Sequence, residues 1–238
     1  MTTKEVANHS KEGMKAEIGV FAPGTSWRKL VVIFIIGSVF GCCYEMLLNF
    51  FTHLFNDHTF FWETRSAVIY GPFSVVYGVG AVLMTVFLVG KGYKWYKVFL
   101  LGALICGAYE YFACLLQEIF TGTTSWNYSA HTFNINGRTS LEIMMVWGLM
   151  SVIYVFLIYP VIDYLTKKLP VKPANTILNI LIVFLCVGMI ISLSAVVRQN
   201  FRRHDMPPFT PYGQFLDSHY PDERMRRAYP NMEFSEET

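Results

Sequence analysis

The sequence predicts an all-α membrane protein of five transmembrane helices. Three observations carry that expectation: a composition too apolar for a soluble globule, five apolar runs of spanning length, and a tyrosine–glutamate pair that recurs in two of them. Hydrophobic residues make up 53% of the chain and charged residues 15%, against about 25% charged in an ordinary soluble domain. Crossing ~30 Å of hydrocarbon takes about 20 helical residues, and apolar runs of that order lie at 30–55, 69–88, 96–120, 141–165 and 176–197. The chain divides into a polar N-terminal leader (1–29), a transmembrane domain (30–197) and a polar C-terminal tail (198–238).

Each element has its own signal. The leader carries Glu5, Glu12 and Glu17 ahead of the first run, which is itself too long for the apolar region of a cleavable signal peptide. In the first span Gly37, Gly41, Glu45 and Asn49 recur every fourth residue, and in the third Gly102, Cys106, Glu110, Cys114 and Glu118 do the same. Residues four apart share a helix face, and small residues on such a face let helix backbones approach closely in lipid. Both glutamates are therefore expected to face a neighbouring helix. The second span opens with "RSAVIYGPFSVVYGVG", where Gly71-Pro72, then Gly78 and Gly80, permit a broken or closely packed start. The fourth follows Thr139-Ser-Leu-Glu142, which fits a capping box. Further along, Tyr159-Pro160 marks a kink and Asp163, beside Lys167, reads as a surface charge. After the fifth span the prolines and charges of the tail exclude another crossing; its aromatic and basic clusters suit docking on a membrane surface or on the loops, or disorder.

A short internal match links the spans. Gly41-Cys-Cys-Tyr44-Glu45 in the first resembles Gly107-Ala-Tyr109-Glu110 in the third. After each glutamate the chain meets a tryptophan (Trp62; Trp126) and then an arginine (Arg65; Arg138) before the next span. Hairpins 1–2 and 3–4 thus read as a parallel repeat about an axis along the membrane normal. At ~1.5 Å per residue, Glu45 and Glu110 lie about 22 and 20 Å into their spans, on the side where the two arginines enter. An unpaired carboxylate at that depth costs several kcal/mol or takes up a proton. The expectation is a polar chamber formed by Glu45, Glu110, Arg65 and Arg138. Tyr44, Tyr109 and Asn49 lie beside it, and the loop "SWNYSAHTFNINGRTSLE" folds over it with Trp126, Asn127 and Asn136. The alternative is a structural one, in which the charges fix helix register.

Lysine and arginine near the span ends set orientation. Arg28 and Lys29, Lys91, Lys94 and Lys97, and Lys167, Lys168 and Lys172 share one side, which places the N-terminus in the cytoplasm; Arg198, Arg202 and Arg203 weigh on the other side. All five cysteines fall in apolar runs, where thiols pack as small apolar groups. Neither they nor the six scattered histidines have zinc-ligand spacing, so no metal and no cofactor is expected. A formal net charge of +2 without a compact basic face argues against nucleic-acid binding.

The order of these elements resembles a family of bacterial membrane proteins, the putative ABC-transporter type IV or putative ABC transporter permease family. The resemblance runs from Leu30 into the tail. It is carried by the G-x-x-Y-E of the first span, "GPFSVVYGVGAVL", "CGAYEY", "SWNYSAHTFNINGRTSLE" and "PDERMRRAYPNM". Where the family commonly reads W-D-Y-S this chain has Trp126-Asn127-Tyr128-Ser129, so no role requiring a carboxylate at 127 carries over. The resemblance implies a multi-pass, permease-like subunit of the bacterial cell membrane, with the lipid bilayer and a separate ATPase subunit as partners; a homo-oligomer is left open. The ATPase must be separate because nothing in the chain resembles a P-loop: Gly90-Lys91 is followed by Gly92. On this reading the chamber takes a small polar or anionic solute, with the arginines as charge partners and the glutamates as gating or proton-accepting groups. The alternative function is a membrane-embedded envelope enzyme, or an accessory or assembly factor, acting on a lipid-linked substrate through a buried glutamate. No hydrolase triad, metal motif or nucleotide fingerprint supports the enzyme, which makes catalysis the weaker expectation.

Overall fold

The computed structural model describes residues 20–60 and 62–235, so the leader up to residue 19 lies outside the described residues. The described chain is mostly helical. Helix α1 (Trp27–Thr52) starts where the Ser26 hydroxyl accepts the Lys29 amide at 3.4 Å, and it continues into a π-helical turn, His53–Asp57. Helix α2 is Val75–Leu88 and α3 is Trp95–Thr121. Helices α4 (Leu141–Ile153) and α5 (Tyr159–Lys168) form one rod joined by a π-helical turn, Tyr154–Ile158. That wider turn lies just before Pro160, whose ring would otherwise meet the carbonyl of Phe156. Helix α6 is Val171–Arg203, and the tail adds α7 (Pro211–His219) and α8 (Asp222–Ala228).

Four of these segments are long and apolar enough to cross a membrane: Trp27–Asp57, Trp95–Thr121, Leu141–Lys168 and Val171–Arg203. Their outer faces suit lipid, with Leu104 59%, Leu149 56% and Val183 63% exposed. The second expected span departs from this. Its helix begins at Val75 and holds 14 residues, about 21 Å of rise, short of the ~30 Å of hydrocarbon. Residues 62–74 are irregular instead. Gly71 adopts φ +91, a Cβ there would lie 2.5 Å from the Phe73 ring, and Pro72 offers no N–H. The segment still folds into the bundle. The Ile69 amide donates to the Ser192 hydroxyl of α6 (2.9 Å), the Phe73 amide donates to the Ser66 hydroxyl (3.2 Å), and Val68 and Phe73 pack against Leu185. Irregular backbone persists among spanning helices when protein groups satisfy it in this way.

α1 packs along α2, and α3 along α4, through close backbone approaches. A Cβ on Gly37 would sit 2.8 Å from that of Ala81, and one on Gly102 would overlap Ser151. In the reverse direction Gly78 abuts Phe34 and Ser38, while Gly148 abuts Phe99. The two hairpins share a core that includes Ile33, Met84, Val98, Cys106, Trp147 and Tyr154.

At the end where α1 begins, Asp163 is not a simple surface charge. Its carboxylate accepts from the fully buried Lys29 at 2.7 Å and from Lys167 at 2.6 Å, and Lys29 also reaches the Thr166 hydroxyl. A lysine buried in apolar surroundings requires such partners.

The opposite end is capped by loops and tail. Strand β1 (Thr123–Thr124) follows α3 and pairs antiparallel with β4 (Glu233–Phe234), while β2 (Asn134–Ile135) pairs with β3 (Thr139–Ser140). Asn136 and Gly137, both at positive φ, form the turn of the second pair. Docking on the loops is thus the arrangement the tail adopts. Leu216, Tyr220 and Met225 are buried against Ala195 and Val196 of α6, and Tyr70 and Tyr220 hydroxyls lie 2.8 Å apart.

Candidate functional site

Glu110 sits on the inner face of α3, 5% exposed, where Gly102 and Cys106 bring α4 close. Its two carboxylate oxygens accept hydrogen bonds from Tyr128 (3.1 Å) and Thr139 (3.0 Å), and Trp147 of α4 is a further side-chain partner. Both hydroxyls arrive from the loop between α3 and α4. Burial, and then the charge of Glu110, holds the Tyr128 phenol well above its ordinary range, so it remains a donor at neutral pH.

Glu45 occupies the corresponding place on α1, half-buried, with the Tyr77 hydroxyl of α2 as its side-chain partner and Arg65 as the cation whose field reaches it. The two glutamates are near enough for their charges to interact. The rings of Tyr77 and Trp147 lie beside each other, centroids 5.5 Å apart, and Tyr44 meets Tyr77 edge-on at 6.4 Å. Tyr109 lies within the field of Glu110. The result is a pair of carboxylates set among hydroxyls and aromatic rings.

The arginines are arranged otherwise than expected. Arg65 pairs with Glu63 at 2.7 Å, and Asn49 donates to the same carboxylate at 3.2 Å. Arg138 holds Glu118, farther along α3 than Glu110, through Nη2 (2.5 Å) and Nε (3.2 Å). A guanidinium keeps more of its hydration at the rim than at the depth of Glu110, so the rim carboxylates win. Among the described residues Glu110 is satisfied by hydroxyls, not by an arginine.

The loop residues serve the loop. The Trp126 indole donates to the Arg138 carbonyl at 3.0 Å, and the Asn127 side chain accepts from the Ser129 amide and hydroxyl. Asn136 donates to the Tyr111 hydroxyl at 3.1 Å. The expected capping box is shifted by one residue: Ser140 caps α4 by accepting from Ile143, Glu142 pairs with His131, and Thr139 is left to serve Glu110.

Sequence reasoning missed Tyr77, Tyr128, Thr139 and Trp147 as partners of the carboxylates. For Tyr77 and Trp147 a signal existed. Val76-Tyr77-Gly78-Val-Gly-Ala81-Val82 matches Val146-Trp147-Gly148-Leu-Met-Ser151-Val152, with aromatic, glycine and small residue in register.

No curated protein and no solved structure matches the chain. The family model described as Putative ABC-transporter type IV matches residues 32–193, which takes in most of α1, all of α2 to α5, most of α6 and both glutamates. The chain is a multi-pass membrane protein and belongs to the putative ABC-transporter type IV family.

Proposed function

We propose that the chain is a permease-like subunit of a bacterial cell membrane, built from two hairpin repeats, with the Glu45–Glu110 pair as its solute or proton site. The repeat reading is supported by matched contacts. Phe34, Gly37 and Glu45 recur in order as Phe99, Gly102 and Glu110, and Tyr77, Gly78 and Ala81 recur as Trp147, Gly148 and Ser151. Each α1–α2 contact, Gly37 on Ala81 and Gly78 on Phe34, has its α3–α4 counterpart, Gly102 on Ser151 and Gly148 on Phe99. One matched pair also meets across the bundle, Tyr77 with Trp147, as residues near a shared axis do, and the charges of Glu45 and Glu110 are within reach of each other. In this reading residues 62–74 and α2 together complete a fifth crossing.

The observation that carries the function is the carboxylate pair itself, with Arg65 and Arg138 engaged by Glu63 and Glu118. Ionisable groups in spans mark solute and proton paths by default. With Arg138 held by Glu118, and Arg65 paired to Glu63 while its field still reaches Glu45, the site carries more carboxylate than cation and favours a proton or a cation over an anion, and the flanking rings suit an organic cation. A separate ATPase is the partner implied by the family, and the N-terminal end is assigned to the cytoplasm because the described lysines gather there.

The experiment compares wild type with Glu45→Gln, Glu110→Gln and the double variant, purified in detergent with native partners retained. Gln keeps shape and removes charge. Melting is followed with a panel of amines and quaternary ammonium ions and with size-matched anions. The expected result is stabilisation of wild type by cations, lost in either variant while each remains folded. Variants that lose stability or assembly without any change in cation response would show the pair to be structural.

A further inference from the structure

The hydroxyls that hold the two glutamates stand on elements of different kinds. Glu45 takes its hydroxyl from Tyr77 on helix α2, and Glu110 takes one from Thr139, buried where β3 enters α4. The other partner of Glu110, Tyr128, belongs to the loop between α3 and α4, and the field of Glu45 reaches it too. Tyr128 is thus the partner of the pair that stands on neither a helix nor a helix start. Glu110 is 5% exposed, so a solute gains its carboxylate only when a neighbour moves.

The ties of the loop show which part can move. Both ends are fixed: β1 pairs with β4 of the tail, and β3 leads into α4. Between them residues 125–138 hold their own shape. The Tyr128 amide donates to the Gly137 carbonyl at 2.7 Å, Asn134 donates to the Ser129 and His131 carbonyls at 3.2 and 2.9 Å, and the Trp126 indole reaches the Arg138 carbonyl. Toward α4 the loop is tied through backbone, by the β2–β3 pair and by the Leu141 amide donating to the Phe133 carbonyl at 3.3 Å. Toward α3, among the described residues, its hydrogen bonds are made through side chains: Tyr128 with Glu110, Asn136 with Tyr111, Ser125 with Gln117 and Arg138 with Glu118. Arg138 adjoins the fixed Thr139, so its bond can persist while Tyr128 leaves.

We propose that residues 125–138 are a lid over the Glu45–Glu110 pair, hinged on α4 and latched to α3 by Tyr128, and that the described structure is its closed state. Opening breaks a few side-chain contacts and keeps the backbone bonds of the loop, which makes it a local event and not an unfolding of the bundle. The latch is a hydroxyl given to a carboxylate, the stronger class of hydrogen bond. The inference rests on the reading of the glutamate pair as the solute or proton site.

Two native thiols report on the lid. Cys114 is 1% exposed, with its sulfur 4.0 Å from the Trp126 carbonyl under the loop, and Cys106, 0% exposed, lies farther from the loop on the same face of α3. The full chain in detergent, without solute, is labelled with N-ethylmaleimide, and the rate at each cysteine is read by peptide mass spectrometry. Tyr128→Phe keeps the ring, removes the hydroxyl and changes no charge. It should speed labelling of Cys114 about tenfold or more, the scale of one hydrogen bond to a charged group, and leave Cys106 as slow as in wild type. Thr139→Val takes the other hydroxyl from the same carboxylate but lies at the fixed end, so it should speed Cys114 far less. The proposal is overturned if Cys114 in a folded Tyr128→Phe reacts at the wild-type rate, if Thr139→Val speeds it equally, or if Cys106 speeds by the same factor. Should Tyr128→Phe not fold, Tyr111→Phe frees Asn136 from the α3 side, and unchanged labelling of Cys114 there has the same consequence. A lid that opens in a protein with no cation response would count against the solute reading of the pair and leave the lid standing.

Discussion

Thr139 shows how a buried carboxylate is held without a cation. Its hydroxyl donates to Glu110 at 3.0 Å and is 2% exposed as a residue, so no water replaces it. Thr139→Val keeps the shape and removes the donor, leaving one carboxylate oxygen short of a partner, and should lower stability by about 1–3 kcal/mol. Chemical or thermal unfolding in detergent checks it. In a double-mutant cycle with Glu110→Gln the two losses should couple by at least about 0.5 kcal/mol, and strict additivity would sink the assignment. The glutamates themselves were legible in the sequence, because a carboxylate in an apolar run stands out. Their partners were not. Thr139 and Tyr128 look like an ordinary cap and an interfacial aromatic. The arginines, placed by proximity in the chain, went to Glu63 and Glu118 at the rim, where a charged pair costs less desolvation.

Between helices, spacing in the sequence carried more of the answer. The four-residue stripe of α3 foretold its buried face, and that of α1 foretold the glycines, Gly37 and Gly41, that lie against α2, because small residues at that interval leave room for a close neighbour. The length of α2 was not legible from hydropathy: residues 69–74 are as apolar as a helix, yet Gly71, Pro72 and a hydrogen bond to Ser192 hold them irregular. If the hairpins are repeats, Gly78 and Gly148 do the same work, and both should resist a methyl group. A Cβ on Gly78 would meet the Ser38 hydroxyl at 2.1 Å and the Phe34 carbonyl at 2.8 Å, and one on Gly148 would meet the Phe99 carbonyl at 2.8 Å. Gly78→Ala and Gly148→Ala should each cost about 1–3 kcal/mol through overpacking. Gly188→Ala, where no atom lies within 4 Å of the added methyl, should be neutral or better by up to about 1 kcal/mol from helix propensity. A clear difference in sign between the first two would argue against equivalent hairpins.

Across the molecule, the tail turns five helical elements and their loops into a capped bundle, and an ion cluster fastens it. Arg198, 6% exposed at the end of α6, binds Asp217 of α7 through Nε and Nη2, both at 2.8 Å, and donates to the Met206 carbonyl at 2.9 Å. Arg202 bridges the same Asp217 to Asp222 of α8 and also donates to the Tyr220 carbonyl. Composition did not disclose this, since prolines and charges in a tail are compatible with disorder. The Arg198 guanidinium, seconded by Arg202, holds the Asp217 carboxyl below the usual carboxylate range despite partial burial. A depressed folded value means that the ion cluster's contribution is complete above the ordinary value of about 3.9 and is lost as pH falls through the folded one. The tail should therefore stay docked from neutral pH down to about pH 4 and loosen below it. Asp217→Asn should loosen it already at neutral pH, because the neutral amide offers one acceptor oxygen to two guanidinium groups. Hydrogen exchange over residues 211–228, corrected for the intrinsic effect of pH, measures both. Equal protection in wild type and Asp217→Asn at neutral pH would mean that the apolar contacts of Leu216, Tyr220 and Met225 suffice to dock the tail, with the arginines serving chiefly to keep Asp217 ionised.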